Sequence, residues 1–145
     1  MNWNSKKVLV TGGASFIGSH LTEQLLVLNA QVRVADNFSS GERKHLESLD
    51  CEVLEGDLLE PAFCDRSTKG MDVVFHLAAD HGGRGYIDAH QVECSTNMIL
   101  DGQVFRSAHR NGVEKIVFAS SGCVYPTSAQ MDVTKEVFLH EDMVT

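Results

Sequence analysis

Five short, unbroken apolar runs separated by longer amphipathic stretches constrain this chain more than any other feature. The runs are Lys7-Val-Leu-Val-Thr11, Gln31-Val-Arg-Val-Ala-Asp36, Cys51-Glu-Val-Leu-Glu55, Asp72-Val-Val-Phe-His-Leu-Ala78 and Lys115-Ile-Val-Phe-Ala-Ser120. Each is too short for a helix and reads as a strand buried on both faces. Between them, residues 16–29 place Ile17, Leu21, Leu25 and Leu28 near helical spacing. Residues 60–69 open on Pro61, which a first helical turn tolerates. Residues 87–111 read as one long helix ended by Gly112, and residues 42–49 as a short one. Residues 127–145 carry only weak periodicity. Strands alternating with helices imply a parallel sheet with right-handed crossovers. The fold class expected is therefore α/β.

At 145 residues the chain is one domain's worth, enough to bury a core. Twenty acidic against 12 basic side chains give a formal charge of -8. No basic patch offsets phosphate charge, so a nucleic-acid partner is not expected. No apolar run is long enough to span a membrane, and the first residues carry no apolar leader segment. The four cysteines, Cys51, Cys64, Cys94 and Cys123, show no C-x-x-C pair. Neither a structural zinc site nor a disulfide framework is expected, and a cytoplasmic chain with reduced thiols is.

The chemistry begins where the first strand meets the first helix, at Thr11-Gly-Gly-Ala-Ser-Phe-Ile-Gly18. Small residues between a strand and a helix N-terminus let a pyrophosphate approach backbone N–H groups. Asp36 ends the second strand, 18 residues after Gly18. An acid there accepts hydrogen bonds from a ribose diol and repels a 2′-phosphate, which favours NAD over NADP. Arg43 and Lys44 lie nearby and keep NADP open. A plain tight turn is the alternative reading of the glycines.

These segments, together with Asp36-Asn37, Gly56-Asp57-Leu58, His76-Leu-Ala-Ala79, Asn97 and Ser120-Ser-Gly-Cys-Val-Tyr-Pro126, resemble the extended short-chain dehydrogenases/reductases of the nucleotide-sugar epimerase/dehydratase group. The resemblance covers nearly the whole chain. It implies a Rossmann-type doubly wound parallel sheet and a single NAD-binding domain over residues 1–145, truncated after about five strands. It also implies a cofactor site of Gly12, Ser15, Phe16, Ile17, Gly18, Asp36, Asn37, Asp57, Leu58, Leu77, Ala78, Ala79 and Asn97. Within that set, Asp36 and Asn37 would hold the adenosine ribose, Asp57 and Leu58 would flank the adenine, and Leu77 to Ala79 would line the cofactor. Asp57 can also be read as a turn residue after Gly56. Ser15 departs from the middle glycine of the group's G-x-x-G-x-x-G, and a serine there can cap the helix. His76 reads better as a satisfied, partly buried histidine than as a catalytic one.

A narrower resemblance, to the GDP-mannose 3,5-epimerases, lies in residues 76–87 and 120–126. It implies that Gly82, Gly83 and Arg84 border a sugar, although the same loop can be a flexible connector. It makes Cys123 a proton-transfer residue, with a small packed side chain as the alternative. Ser121 matches the group's catalytic serine. The group's reaction is a transient oxidation of a nucleotide sugar by NAD, begun by a tyrosine activated by a lysine in Y-x-x-x-K. Here Tyr86 is followed at the fourth position by His90 and Tyr125 by Ala129, so the pair is missing. The expectation is a cofactor-binding portion that binds NAD without turnover; a dinucleotide-binding or sensor module is the alternative. An exposed apolar face and an unpaired strand edge near residues 116–118 are also expected, and with them a homo-oligomer.

Overall fold

The computed structural model describes residues 2–121, 124–126, 128, 131 and 136–144, with the backbone alone at residue 84. Its strands are β1 (Lys7–Thr11), β2 (Gln31–Asp36), β3 (Glu52–Glu55), β4 (Val73–His76) and β5 (Lys115–Phe118). Its α-helices are α1 (Phe16–Val27), α2 (Pro61–Thr68), α3 (Arg84–Ala89), α4 (Gln91–Ser95) and α5 (Asn97–Arg110). Short 3-10 turns cover Arg43–His45 and Glu141–Met143.

All five strands lie parallel in one sheet, in the order β3-β2-β1-β4-β5. The chain winds outward from β1 to one edge and then returns to build the other. The point of reversal is between β1 and β4, whose register pairs Thr11 with His76. At such a reversal the connections after the two strands diverge and leave a crevice at their carboxyl ends.

Alternating side chains of the central strands feed two separate cores. Val8, Val10, Val32, Val34 and Val73 pack with Leu25 of α1 on one face. Leu9, Ala35 and Val74 pack with Phe63 of α2 and with Val104 and Ala108 of α5 on the other. Val8, Leu9 and Val10 have no exposed surface at all, which explains why β1 reads as an unbroken apolar run. The outer strands differ from the expectation of burial on both faces. β3 and β5 each end in exposed residues, because each has only one neighbour among the described strands. Phe118 of β5 is 46% exposed, in line with the expected open edge.

The long helix expected over residues 87–111 is three helices. His90 leaves helical geometry at φ -128, ψ 46, which ends α3 and opens α4. Around both breaks, side chains bond the backbone of the preceding turn. His90 Nδ1 lies 3.0 Å from the Tyr86 carbonyl; Ser95 and Thr96 donate to the carbonyls of Val92 and Glu93 at 2.7 and 2.6 Å. Such local bonds compete with the helical ladder and favour termini. Apolar periodicity persists through the breaks, so hydropathy alone does not reveal them. The last helix does end as expected, on Gly112 with φ +72. No helix among the described residues is long and apolar enough to cross a membrane.

Candidate functional site

A cleft of about 550 Å³ opens at the carboxyl ends of β1, β2 and β4. Its floor is the turn between β1 and α1. Gly12 takes φ +68, and a Cβ there would stand 2.9 Å from the Ala78 nitrogen. At Gly18 a Cβ would stand 2.3 Å from the Gly12 carbonyl oxygen. Only glycine at both positions lets α1 start this close to the strand ends.

Ser15 caps α1. Its hydroxyl accepts from the Gly18 N–H at 3.2 Å and donates to the Gly12 carbonyl at 2.7 Å. Serine in place of the usual glycine thus fastens the turn to the helix it opens. The N–H groups of Phe16 and Ile17, in the first turn, have no intrahelical partner by helix geometry. That turn holds no acidic residue, which keeps the positive end of the helix dipole available to an anion. The Phe16 and Ile17 side chains are largely exposed and do not line the cleft.

Asp36 closes the side of the cleft next to β2 and β3. Its residue is buried, and its two carboxylate oxygens accept from the N–H groups of Ala14 at 2.9 Å and Phe38 at 2.8 Å. One acid therefore braces the glycine turn and the following loop, and still lines the cleft. The Ala14 carbonyl is held in turn by the Glu42 N–H at 3.2 Å and by His45 Nδ1 at 2.9 Å. Asn37, Asp57 and Leu58 complete this side. Asp57 also accepts from the Leu59 N–H at 2.8 Å, so it is a turn residue and a cleft residue together.

The opposite wall is residues 77–81, fastened at two points. Thr11 Oγ1 accepts from the N–H groups of Leu77 and Ala78, both at 3.1 Å, and lies 2.7 Å from His76 Nδ1. A hydroxyl has two acceptor sites and one proton. With both acceptor sites used, the proton points to Nδ1, so His76 carries its own proton on Nε2. That nitrogen donates to Asp101 Oδ1 of α5 at 3.1 Å. Burial pushes the His76 pKa down; the neighbouring Asp101 opposes this in part. The histidine is thus satisfied, as expected, and more deeply buried than expected at 1% exposure.

The second fastening is Asn97, at the start of α5. Its amide donates to the Asp80 carbonyl at 2.8 Å and accepts from the Asp80 N–H at 2.7 Å. It lines the cleft, with both ends of its amide engaged by the loop. Tyr86 and His81 also line the cleft, and no motif in the sequence marks either as a cleft residue. Tyr86 donates to Asp80 Oδ1 at 2.9 Å, and this bond to a carboxylate raises the Tyr86 pKa.

The structure brings Gly12, Ser15, Asp36, Asn37, Asp57, Leu58, Leu77, Ala78, Ala79 and Asn97 into one cleft. Gly82 and Gly83 are exposed beside it, Gly83 preceding α3. Ser121 is exposed beyond the carboxyl end of β5. Cys123 and the side chain of Arg84 lie outside the described residues.

A five-stranded parallel sheet in this order, with a capped glycine turn and an acid flanking its switch point, defines a Rossmann-type dinucleotide-binding fold. Residues 8–143 match the NAD dependent epimerase/dehydratase family, and the chain belongs to that family. It is 33% identical over 136 residues to the GDP-mannose 3,5-epimerase of Arabidopsis thaliana, covering 91% of this chain and 36% of that protein. A solved epimerase of Methanothermobacter thermautotrophicus superposes with a TM-score of 0.83 at 33% identity, over 99% of this chain and 42% of that one. The UDP-glucose 4-epimerase of Thermus thermophilus, solved in complex with NAD, gives 0.71 at 32% identity, over 80% and 38%. The chain thus spans well under half the length of these relatives.

Proposed function

We propose that this chain binds NAD in the cleft at the carboxyl ends of β1, β2 and β4. We propose further that it forms the cofactor-binding portion of a nucleotide-sugar epimerase/dehydratase. The observation that carries the reading is the juxtaposition of Asp36 with the capped turn Gly12–Gly18. One acid both braces the anion-binding backbone and faces the same cleft. That pairing suits a dinucleotide, which offers a pyrophosphate and a ribose diol a fixed distance apart.

In this reading the N–H groups of Phe16 and Ile17, with the close-packed Gly12, Ser15 and Gly18, take the pyrophosphate. Asp36 and Asn37 take the adenosine ribose, and Asp57 and Leu58 border the adenine. Leu77, Ala78 and Ala79 form the wall that excludes water, and Asn97 holds that wall in place. Bound NAD supplies a hydride acceptor for transient oxidation of a sugar. Gly82, Gly83 and Arg84 would border that sugar, with Ser121 hydrogen-bonding its hydroxyl and Cys123 exchanging a proton at its carbon. With no Y-x-x-x-K pair in its sequence, the 145-residue chain binds without turnover.

Calorimetric titration and thermal unfolding with NAD test this. Ligand at a hundredfold over Kd stabilises by about 2.7 kcal/mol, an upward Tm shift of roughly 5–10 °C for this size. No heat and no shift at millimolar NAD would sink the proposal.

A further inference from the structure

We infer that Glu55 is a cofactor-discriminating residue, which excludes a 2′-phosphate by occupying Arg43. This rests on the proposal that the cleft takes a dinucleotide with its adenosine ribose at Asp36.

Asp36 and Glu55 are register partners at the ends of β2 and β3. Register partners in neighbouring strands present their side chains on the same face of the sheet. Both side chains therefore leave the sheet on one face, Asp36 lining the cleft and Glu55 pairing outward. Arg43 reaches back from the loop after β2 and pairs with Glu55 Oε2 at 2.5 Å. Its guanidinium also lies over the Phe38 ring, 4.1 Å from the centroid, and the Phe38 N–H is bonded to Asp36. Glu55, Arg43, Phe38 and Asp36 thus form one connected cluster, of which Asp36 lines the cleft. The other cation of the loop, Lys44, is paired with Glu42 at 2.6 Å.

An arginine near the end of the second strand is what accommodates a 2′-phosphate in this kind of fold. In the sequence, Arg43 and Lys44 leave NADP open. The structure engages both with carboxylates. A 2′-phosphate arriving beside Asp36 must displace Glu55 to reach Arg43. A ribose diol asks only for acceptors, which Asp36 provides. The Arg43 and Glu55 side chains are 59% and 56% exposed, and ion pairs so exposed contribute little to stability. The charge of Glu55 can therefore be removed without losing the fold.

The test is calorimetric titration of the 145-residue chain with NAD and with NADP. Glu55→Gln should tighten NADP binding roughly two- to fivefold relative to NAD, with a gain that shrinks at high salt. Adding Arg43→Ala to Glu55→Gln should abolish the gain, because the released guanidinium is its source. A wild-type chain that binds NADP as tightly as NAD overturns the inference. So does a ratio unmoved by Glu55→Gln, or a gain that survives Arg43→Ala. If neither nucleotide binds, the functional reading fails and takes this inference with it. If NAD binds and the ratio does not move, the inference alone fails.

Discussion

Removing the Thr11 hydroxyl while keeping its shape isolates the fastening between β1 and the cleft wall. In Thr11→Val, His76 Nδ1 loses its donor inside a fully buried pocket, and the Ala78 N–H loses its acceptor. The Leu77 N–H keeps the Thr11 carbonyl at 3.3 Å. Each orphaned buried group costs about 1–3 kcal/mol. Ala78 is only half-buried, so water recovers part of its loss, and the added methyl returns about 0.8 kcal/mol. The net expectation is a loss of about 2 kcal/mol. Thr11→Ser keeps the hydroxyl and deletes the methyl, for a loss of about 1 kcal/mol. Urea unfolding reads the difference: with an m-value of about 2 kcal/mol/M, the valine variant's midpoint falls by roughly 1 M and the serine variant's by roughly half that. A valine variant as stable as the serine variant, or more so, would refute the hydrogen-bond assignment and with it the Nε2–H tautomer of His76.

Two further outcomes follow from the same geometry. Gly18→Ala drives a Cβ into the Gly12 carbonyl and should cost about 2–4 kcal/mol, whereas Gly102→Ala, mid-helix in α5 with nothing within 4 Å of its Cβ, should stabilise by about 0.5–1 kcal/mol; thermal unfolding of both variants checks the pair. His76 has a folded pKa below its ordinary 6.5, so the unfolded chain takes up its proton first as pH falls. The histidine's contribution to stability is complete above pH 6.5 and is lost as pH falls from there through the folded pKa, at up to about 1.4 kcal/mol per pH unit. Urea midpoints between pH 7 and 5 should fall more steeply in wild type than in His76→Phe, and equal slopes would contradict the assignment.

The central strands were legible because burial on both faces leaves a continuous apolar run, and β1 and β2 have the bounds their runs suggest. The glycine turn and Asp36 were legible because both depend on local chain order. What escaped the sequence depends on partners far apart in it. Nothing in residues 90–96 marks a broken helix until the side chains of His90, Ser95 and Thr96 are seen bonding backward. Asn97 reads as a polar residue in a helix, yet its amide is shaped to the backbone of Asp80, 17 residues earlier. The Thr11–His76–Asp101 chain joins three elements, and only the register of β1 with β4 brings its first two members together. Arg43 and Lys44 look like available cations in the sequence because ion pairing is invisible there.

The two fastenings of residues 77–80 also have an entropic meaning. Ordering one residue's backbone costs roughly 1–2 kcal/mol of conformational free energy at room temperature. A loop that became ordered only around its ligand would subtract that amount, residue by residue, from the affinity. Here Thr11 fixes Leu77 and Ala78, and Asn97 fixes Asp80, through contacts made entirely within the chain. The wall is therefore set during folding, and a ligand arriving at the cleft meets a surface already in its working shape.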